Sequence, residues 1–558
     1  MKKEVLPIVA LLILSAVLLG FQLGKTGLID PDEPFYSLTA KEMLLRHDAS
    51  TPFMFGAPQF EKPILFYWVL YGLFRWLGVS EFSARLGPVL AGMATVLITY
   101  FWARLLFRRK ETAFISAAVL AVSAQFVILS RIVLTDIFLC LFVTAALFCF
   151  SLGERFPRIR ALSWHLIFVF SALGFLTKGP LGFMIPFAGI LSYALLGKTR
   201  GTLKEMPWLS GLALFALIGF PWFLLMTWKY GVSFLQQTFL HENLRRFFVA
   251  EHRGSDKALF YPIVLILGFF PWSGFLIPAL AGACRKAVQN RPGRSQQQHL
   301  FLFLSFVLPF IFFCTAKSKL MSYIFPVYPI VAILAGAWMF RFYRAIRLGV
   351  RLKPALIGMN AILWGVFPAG LVAGAFQFSV KNGVAAPIPL FFIALTMVPL
   401  LWTAFYLFCR KKFPAAFVST LFSMLFLSCL CFGWLLPHIE SAISSKQWAK
   451  SYQQSGPGRS GAGFLTSKMF LRGASFYTEN PSIGVFSEKP RGGFYTSHPI
   501  SIISDADGLS RMAAGGSPVY LLLREKEWKF LNKINNSRFS ISILEATPPR
   551  RWMRLDYV

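Results

Sequence analysis

Lys and Arg recur along this chain in short clusters at residues 2–3, 104–110, 155–160, 198–204, 285–294, 341–353 and 410–412, with apolar stretches between them. Short basic loops stay on the cytoplasmic side of a membrane because moving them across is unfavourable. The seven clusters therefore fix a membrane topology, and the loops between them must face outward. Composition agrees: 56% of the 558 residues are hydrophobic, 14% are charged, and mean hydropathy is +0.60. A soluble core has no use for that much apolar surface. The formal charge of +32 belongs with the basic loops and with anionic lipid headgroups of the bilayer. No basic-aromatic module points to nucleic acid.

Crossings are expected near 5–24, 85–107, 112–130, 132–152, 163–178, 180–197, 207–228, 259–283, 299–316, 320–340, 355–378, 388–409 and 414–437, for a hydrocarbon core of roughly 30 Å. These thirteen predict an all-α polytopic membrane protein with its N-terminus inside and its C-terminus outside. Met1–Gly20 has a basic start and an apolar run but no clear small-residue cleavage site, so it reads as a retained first helix. Counting Ile64–Gly78 as a crossing would invert every later basic loop. Its aromatic residues suit a helix lying at the outer interface instead.

Beyond His438 the composition changes. Short β-favouring runs (Gly463–Leu465, Ser482–Phe486, Val519–Leu523, Phe539–Leu544) and a helical stretch at Lys446–Gln453 predict a small α/β extracytoplasmic domain. Two domains follow: 1–437, with outer-face loops 25–84 and 229–258, and 438–558. The seven cysteines lie in or beside apolar spans and form no CxxC pair, which argues against a disulfide framework or a thiolate metal site.

This topology gathers six segments at one membrane face: Asp30-Pro-Asp32-Glu33, Glu61-Lys62-Pro63, Thr135-Asp136, Thr177-Lys178-Gly179-Pro180, His241 to Phe247, and Lys317 to Tyr323. Ionisable groups at membrane depth are expensive and usually functional. Carboxylates such as Asp32, Glu33 and Asp136 can act as general bases, while Lys62, Lys178, Arg246, Lys319 and Tyr323 can hold a phosphate. Each segment alone also has an ordinary reading. Asp32 and Asp136 suit helix starts, Lys62 and Lys178 suit interfacial lysines that snorkel, and Arg245 and Arg246 suit lipid-headgroup contacts. The shared face makes the set more informative than its members.

The motif order also includes Tyr36…Lys41-Glu42-Met43-Leu44, Tyr67-Trp68 and Glu81…Ala84-Arg85-Leu86. Over roughly the first 340 residues it resembles the membrane glycosyltransferases that use polyprenyl-phosphate sugars. Within these it is most similar to the 4-amino-4-deoxy-L-arabinose lipid A transferases, which are related to protein O-mannosyltransferases. The resemblance implies the C-type glycosyltransferase fold, with Asp32 as the catalytic acid residue and Asp136 near it. It further implies Lys62 on the lipid phosphate, with Arg246 and the Lys319/Tyr323 pair completing the phosphate site. At the place two residues after Glu33 the family often carries Arg; this chain has Phe35. Some arabinose transferases bind zinc through the Glu of Glu-Lys-Pro and a later His. A divalent metal ion at Glu61 would here meet Asn243 instead, with His241 two residues upstream.

The implied reaction is an inverting transfer from an undecaprenyl-phosphate sugar to lipid A, a related glycolipid or a protein at the periplasmic face of the inner membrane. A lipid-linked donor fits the lack of a Walker A loop or a Rossmann fingerprint. The competing reading is a lipid or solute transporter, whose marks are midplane charges, interrupted helices and paired repeats. Pro186, Pro221 and Pro326 could interrupt helices, but the carboxylates lie near one face.

Overall fold

The computed structural model describes residues 2–197, 200–238, 257–289, 293–351, 353–366, 368–370, 373, 376–377, 387–454, 463–478, 483–488, 500–513, 518–535, 539–547 and 550–557. The chain is mostly helical. Among the described residues, seven helices are long and apolar enough to cross a membrane, or nine if two bent pairs each count as one span.

Helix α1 (Lys2–Gly20) leads through an ordered loop into the short helix α2 (Asp32–Leu45), and α3 (Leu65–Leu77) follows. At 13 residues, α3 extends about 20 Å at 1.5 Å per residue, well short of the hydrocarbon core. Helix α4 (Glu81–Phe107) starts at a capping box: Ser80 Oγ accepts from Ser83 N at 3.2 Å, and Ser83 Oγ accepts from Ser80 N at 3.0 Å. Its 27 residues span about 40 Å and end at Arg108 in a left-handed conformation, φ 56°, where a basic loop was expected.

Several expected crossings are not continuous helices: 207–228 divides into Trp208–Gly219 and Pro221–Tyr230, bent by 46°, and two others break where they meet. The 112–130 stretch divides into α5 (Lys110–Val122) and α6 (Ala124–Leu129), with Ser123 extended between them. The 259–283 stretch divides into Phe260–Gly268 and Ser273–Val288, bent by 116°. Pro271 has no N–H to continue the first helix and restricts the residue before it. The two breaks face each other: Ala124 N donates to Phe270 O at 2.9 Å, so one break satisfies a backbone group freed by the other.

Helices α7 (Asp136–Arg155), α8 (Arg160–Lys178) and α9 (Leu181–Leu196) complete the part of the bundle that carries the site. The turn from α8 to α9 is tight because the two backbones touch. A Cβ on Gly182 would lie 2.1 Å from Gly174 C, and Gly179 has φ +68°, which a residue with a Cβ rarely adopts. Lys178 is held at that turn.

The C-terminal region contains a six-stranded sheet in the order β5-β4-β3-β6-β8-β7. Its strands are β3 (Phe464–Thr466), β4 (Ile483–Phe486), β5 (Ile502–Ile503), β6 (Val519–Arg524), β7 (Phe539–Thr547) and β8 (Arg550–Tyr557); β1 (Phe53–Met54) and β2 (Ala57–Pro58) form a separate small hairpin. Strands β3 to β6 pair in parallel, whereas β8 pairs antiparallel with both β6 and β7. Strand β8 and the helices Leu471–Tyr477, Ala506–Ala513 and Glu525–Ile534 were not expected from sequence. The helix Leu471–Tyr477 rests on α2, with Lys41 Nζ donating to Phe476 O at 2.9 Å. Tyr477 OH donates to Glu81 Oε1 at 3.0 Å and accepts from Leu28 N at 2.7 Å, while Lys446 pairs with Glu81 at 2.7 Å.

Candidate active site

The loop that carries Asp32 is fixed by a buried ion pair. Arg85, 5% exposed, spends all five N–H groups on it: Nε and Nη2 reach Glu33 Oε1 and Oε2 at 2.9 and 2.6 Å, and the rest go to the carbonyls of Leu23, Thr26 and Gly27. Glu33, 0% exposed, also accepts from Ile29 N at 2.7 Å and Val133 N at 3.0 Å. Both carboxylate oxygens thus hold two donors each, the bidentate geometry in which Arg–carboxylate pairs are strongest. Glu33 was expected among the catalytic carboxylates, but an acid so enclosed has no face left for a substrate. It ties the 23–33 loop to α4 and to the segment before α7, and so orients its neighbour.

Asp32 opens α2 and is exposed. As the first residue of a helix, it lies at the positive end of the helix dipole. Asp136 opens α7 in the same way, is 5% exposed, and accepts from Lys178 Nζ at 2.5 Å. That ammonium also lies 4.9 Å from the centre of the Tyr323 ring. The two carboxylates share a neighbour in Tyr36. Burial pushes its phenol well above the usual range, and the nearby Tyr67, Asp136 and Asp32 raise it further. Rings form the floor of this mouth, with Tyr36 5.1 Å from Phe66 and 6.0 Å from Tyr67.

Lys62 donates to Glu61 O at 3.0 Å. Its segment is anchored by Gln59, whose amide donates to Tyr67 OH at 2.7 Å and Thr39 Oγ1 at 3.2 Å. Lys319 is buried beside the Met321–Val327 turn that carries Tyr323. Arg246, with His241 and Asn243, lies outside the described residues. Among the described residues no three His, Cys, Asp or Glu side chains form a metal-binding group. The Lys468 ammonium acts on Glu61, a competitor of a cation rather than a ligand. The described residues around Glu61 do not fit a metal ion.

Sequence reasoning missed the contribution of the C-terminal region. Asp30, two residues before Asp32, is enclosed there: Ser445 Oγ donates to Oδ2 at 2.5 Å and Arg550 Nη2 to the same atom at 3.2 Å. Arg472 places its guanidinium 4.6 Å from the ring centre of Phe35, the residue standing where the resembled family has Arg. No local pattern signals such pairs, since their members lie hundreds of residues apart.

The model of the dolichyl-phosphate-mannose-protein mannosyltransferase family matches residues 7–236. The undecaprenyl phosphate-alpha-4-amino-4-deoxy-L-arabinose arabinosyl transferase of Pectobacterium carotovorum is 31% identical over 342 residues, covering 60% of each chain. The same enzyme of Pectobacterium atrosepticum is 32% identical over 335 residues, covering 59% of this chain and 58% of the relative. The crystal structure of ArnT from Cupriavidus metallidurans bound to undecaprenyl phosphate superposes with a TM-score of 0.77 at 20% identity, over 99% of this chain and 97% of that one. This chain has the ArnT fold. The resemblance to the polyprenyl-phosphate-sugar-dependent glycosyltransferases, drawn above from motifs, holds. The chain spans about 60% of the length of the curated relatives it matches, whereas the fold match extends over its whole length.

Proposed function

We propose that the protein is an inverting membrane glycosyltransferase that moves a sugar from an undecaprenyl-phosphate donor to an acceptor glycolipid, lipid A or a relative, at the periplasmic face of the inner membrane. In this reading thirteen crossings place residues 1–437 in the membrane with its outer loops, and residues 438–558 form a periplasmic domain. The observation that carries it is the convergence of Asp32 and Asp136 on Tyr36, with Lys178 between Asp136 and Tyr323.

The acceptor oxygen attacks the anomeric carbon and the bond from that carbon to the phosphate oxygen breaks. The electron pair leaves with undecaprenyl phosphate, and the acceptor proton passes to Asp32. Lys62, Lys178, Lys319 and Arg246 offset the charge that grows on the departing phosphate, where a partly dried site makes each cation count for more than in water. Asp136 positions Lys178 and, through the mouth around Tyr36, the sugar. Glu33 acts only through the loop it holds.

The test is a proteoliposome assay with purified protein, undecaprenyl-phosphate-linked 4-amino-4-deoxy-L-arabinose and lipid A, read by mass spectrometry. The expected products are lipid A carrying one more aminopentose and free undecaprenyl phosphate. Movement of either lipid between leaflets with no covalent product would instead support a transporter. In the same assay, Lys178→Met is expected to lower kcat by roughly 10²-fold, the usual cost of losing one charge-stabilising group, with Lys178→Arg restoring part of it. Unchanged kcat in Lys178→Met would take that lysine out of the phosphate site.

A further inference from the structure

A cavity of about 420 Å³ lies at the opposite end of α4 from the candidate site. Arg85, near the start of α4, pairs with Glu33, whereas Lys110 and Glu111, which line the cavity, follow the end of that helix. With 27 residues, α4 extends about 40 Å, enough to cross the hydrocarbon core, so the cavity belongs to the other leaflet. Its wall is made of rings: Trp272, Phe275, Phe342, Trp364, Phe408 and Phe417. Trp272 stacks on Phe417 with centres 5.1 Å apart, and Phe275 meets Trp364 at 6.1 Å. Leu6 and Val418 also line the cavity and are 74% and 62% exposed, so it opens sideways toward lipid.

Water in such a hollow would find few partners, and an empty one would forfeit dispersion contacts along its wall. Hydrocarbon fits it. The rim decides what that hydrocarbon is attached to. Lys110 is itself part of the lining. The Arg109 guanidinium lies 5.8 Å from the ring centre of Phe340, and that of Arg347 lies 5.9 Å from the ring centre of Tyr343; both rings belong to the wall. Lys412 directly precedes Phe413, another wall residue, at the start of the helix Phe413–Leu430. Glu111 is the acid in this set, so four cations accompany one carboxylate. A rim of that balance attracts an anionic headgroup.

We propose that this cavity binds one anionic phospholipid of the leaflet opposite the candidate site, with an acyl chain among the rings and the phosphate on Arg109, Lys110, Arg347 and Lys412. The donor phosphate is assigned to the other end of α4, so this is a separate lipid, and it binds whatever sugar the protein transfers. The wall draws on α5, Ser273–Val288, Tyr328–Arg347 and Phe413–Leu430, so the bound lipid ties together helices distant in sequence.

The test uses full-length protein in detergent and three probes: phosphatidylglycerol, zwitterionic phosphatidylethanolamine and undecaprenyl phosphate, with native mass spectrometry counting bound lipids. Wild type is expected to hold one phosphatidylglycerol more tightly than phosphatidylethanolamine, and phosphatidylglycerol should raise its unfolding temperature. K110Q/K412Q should bind phosphatidylglycerol roughly 30-fold more weakly, about fivefold per lost charge, and lose that rise in unfolding temperature. Ala416→Phe, which adds a ring to the lining, should weaken both phospholipids together. Both variants should keep wild-type affinity for undecaprenyl phosphate and, without added lipid, an unfolding temperature close to wild type. Equal wild-type affinity for the two phospholipids would overturn the proposal, as would unchanged phosphatidylglycerol binding in K110Q/K412Q. Weakened undecaprenyl phosphate binding in both variants would give the cavity to the donor tail and overturn it too.

Discussion

Asp32→Asn is expected to reduce sugar transfer by about 10²–10⁴-fold, the range spanned by a positioned general base, while leaving undecaprenyl phosphate binding within twofold of wild type. The substitution keeps shape and removes only the ability to take a proton. Its structural cost is small, because Asp32 is exposed and an acid at a helix start is worth about 0.3–1 kcal/mol through the helix dipole. Thermal unfolding in detergent should therefore move little, and a large fall in kcat at constant stability is the expected signature. Asp136→Asn makes an informative contrast. It leaves the Lys178 ammonium without its 2.5 Å partner, so it should disturb donor binding as well as turnover. An Asp32→Asn protein that transfers sugar at the wild-type rate would leave the mechanism without a base and return the carboxylates of α2 to a structural role.

What the sequence disclosed followed from lipid as a solvent. A crossing helix must be apolar for some twenty residues, so the stretches that hold helices were legible, and the acids and lysine at their ends, Asp32, Asp136 and Lys178, could be picked out as a set. The breaks within those stretches were not. Ser123 and Pro271 interrupt helices at places made tolerable by each other, through the bond from Ala124 N to Phe270 O, and no single stretch contains that information. The enclosure of Glu33 was hidden for a related reason. Its acidity was visible, but not the buried Arg85 that claims it, although an Arg five residues into an apolar helix already calls for a buried counter-charge. Strand β8 reads as a basic tail, Arg550-Arg551-Trp552-Met553-Arg554. It becomes a strand because Trp552, Met553 and Leu555 are buried in the sheet, and because Arg550 finds the carboxylate of Asp30 on the loop before α2.

Arg550→Ala is expected to cost about 3–5 kcal/mol of stability, the usual penalty for removing one partner of a buried ion pair. The guanidinium is 0% exposed and donates to Asp30 Oδ2, to Ser444 O at 2.5 Å and to Ala442 O at 3.2 Å, with its centre 4.1 Å from that of the Phe470 ring. No substitute can enter from the other side. A Cβ on Gly473 would meet Asp30 Oδ1 at 2.1 Å, so the pocket is closed around the acid. The loss should depend on pH. Burial pushes the Asp30 carboxyl up to about 7, against the opposing influence of Arg550 and Ser445, and without Arg550 it rises further. A folded-state value above the unfolded one means that the group's stabilisation is complete below its ordinary range and is lost as pH rises through the folded value. The penalty of Arg550→Ala should therefore be larger at pH 8.5 than at pH 5.5. Adding Asp30→Asn should flatten that dependence and restore part of the stability. Thermal unfolding at the two pH values, for wild type and both variants, measures this directly. A penalty equal at both, with no recovery in the double variant, would show that the two charges are not coupled. Because Asp30 is two residues from Asp32, transfer in Arg550→Ala should fall further than undecaprenyl phosphate binding does. Strand β8, which lies between β6 and β7 in the C-terminal sheet, would then act on the proposed reaction by holding the loop that leads into Asp32.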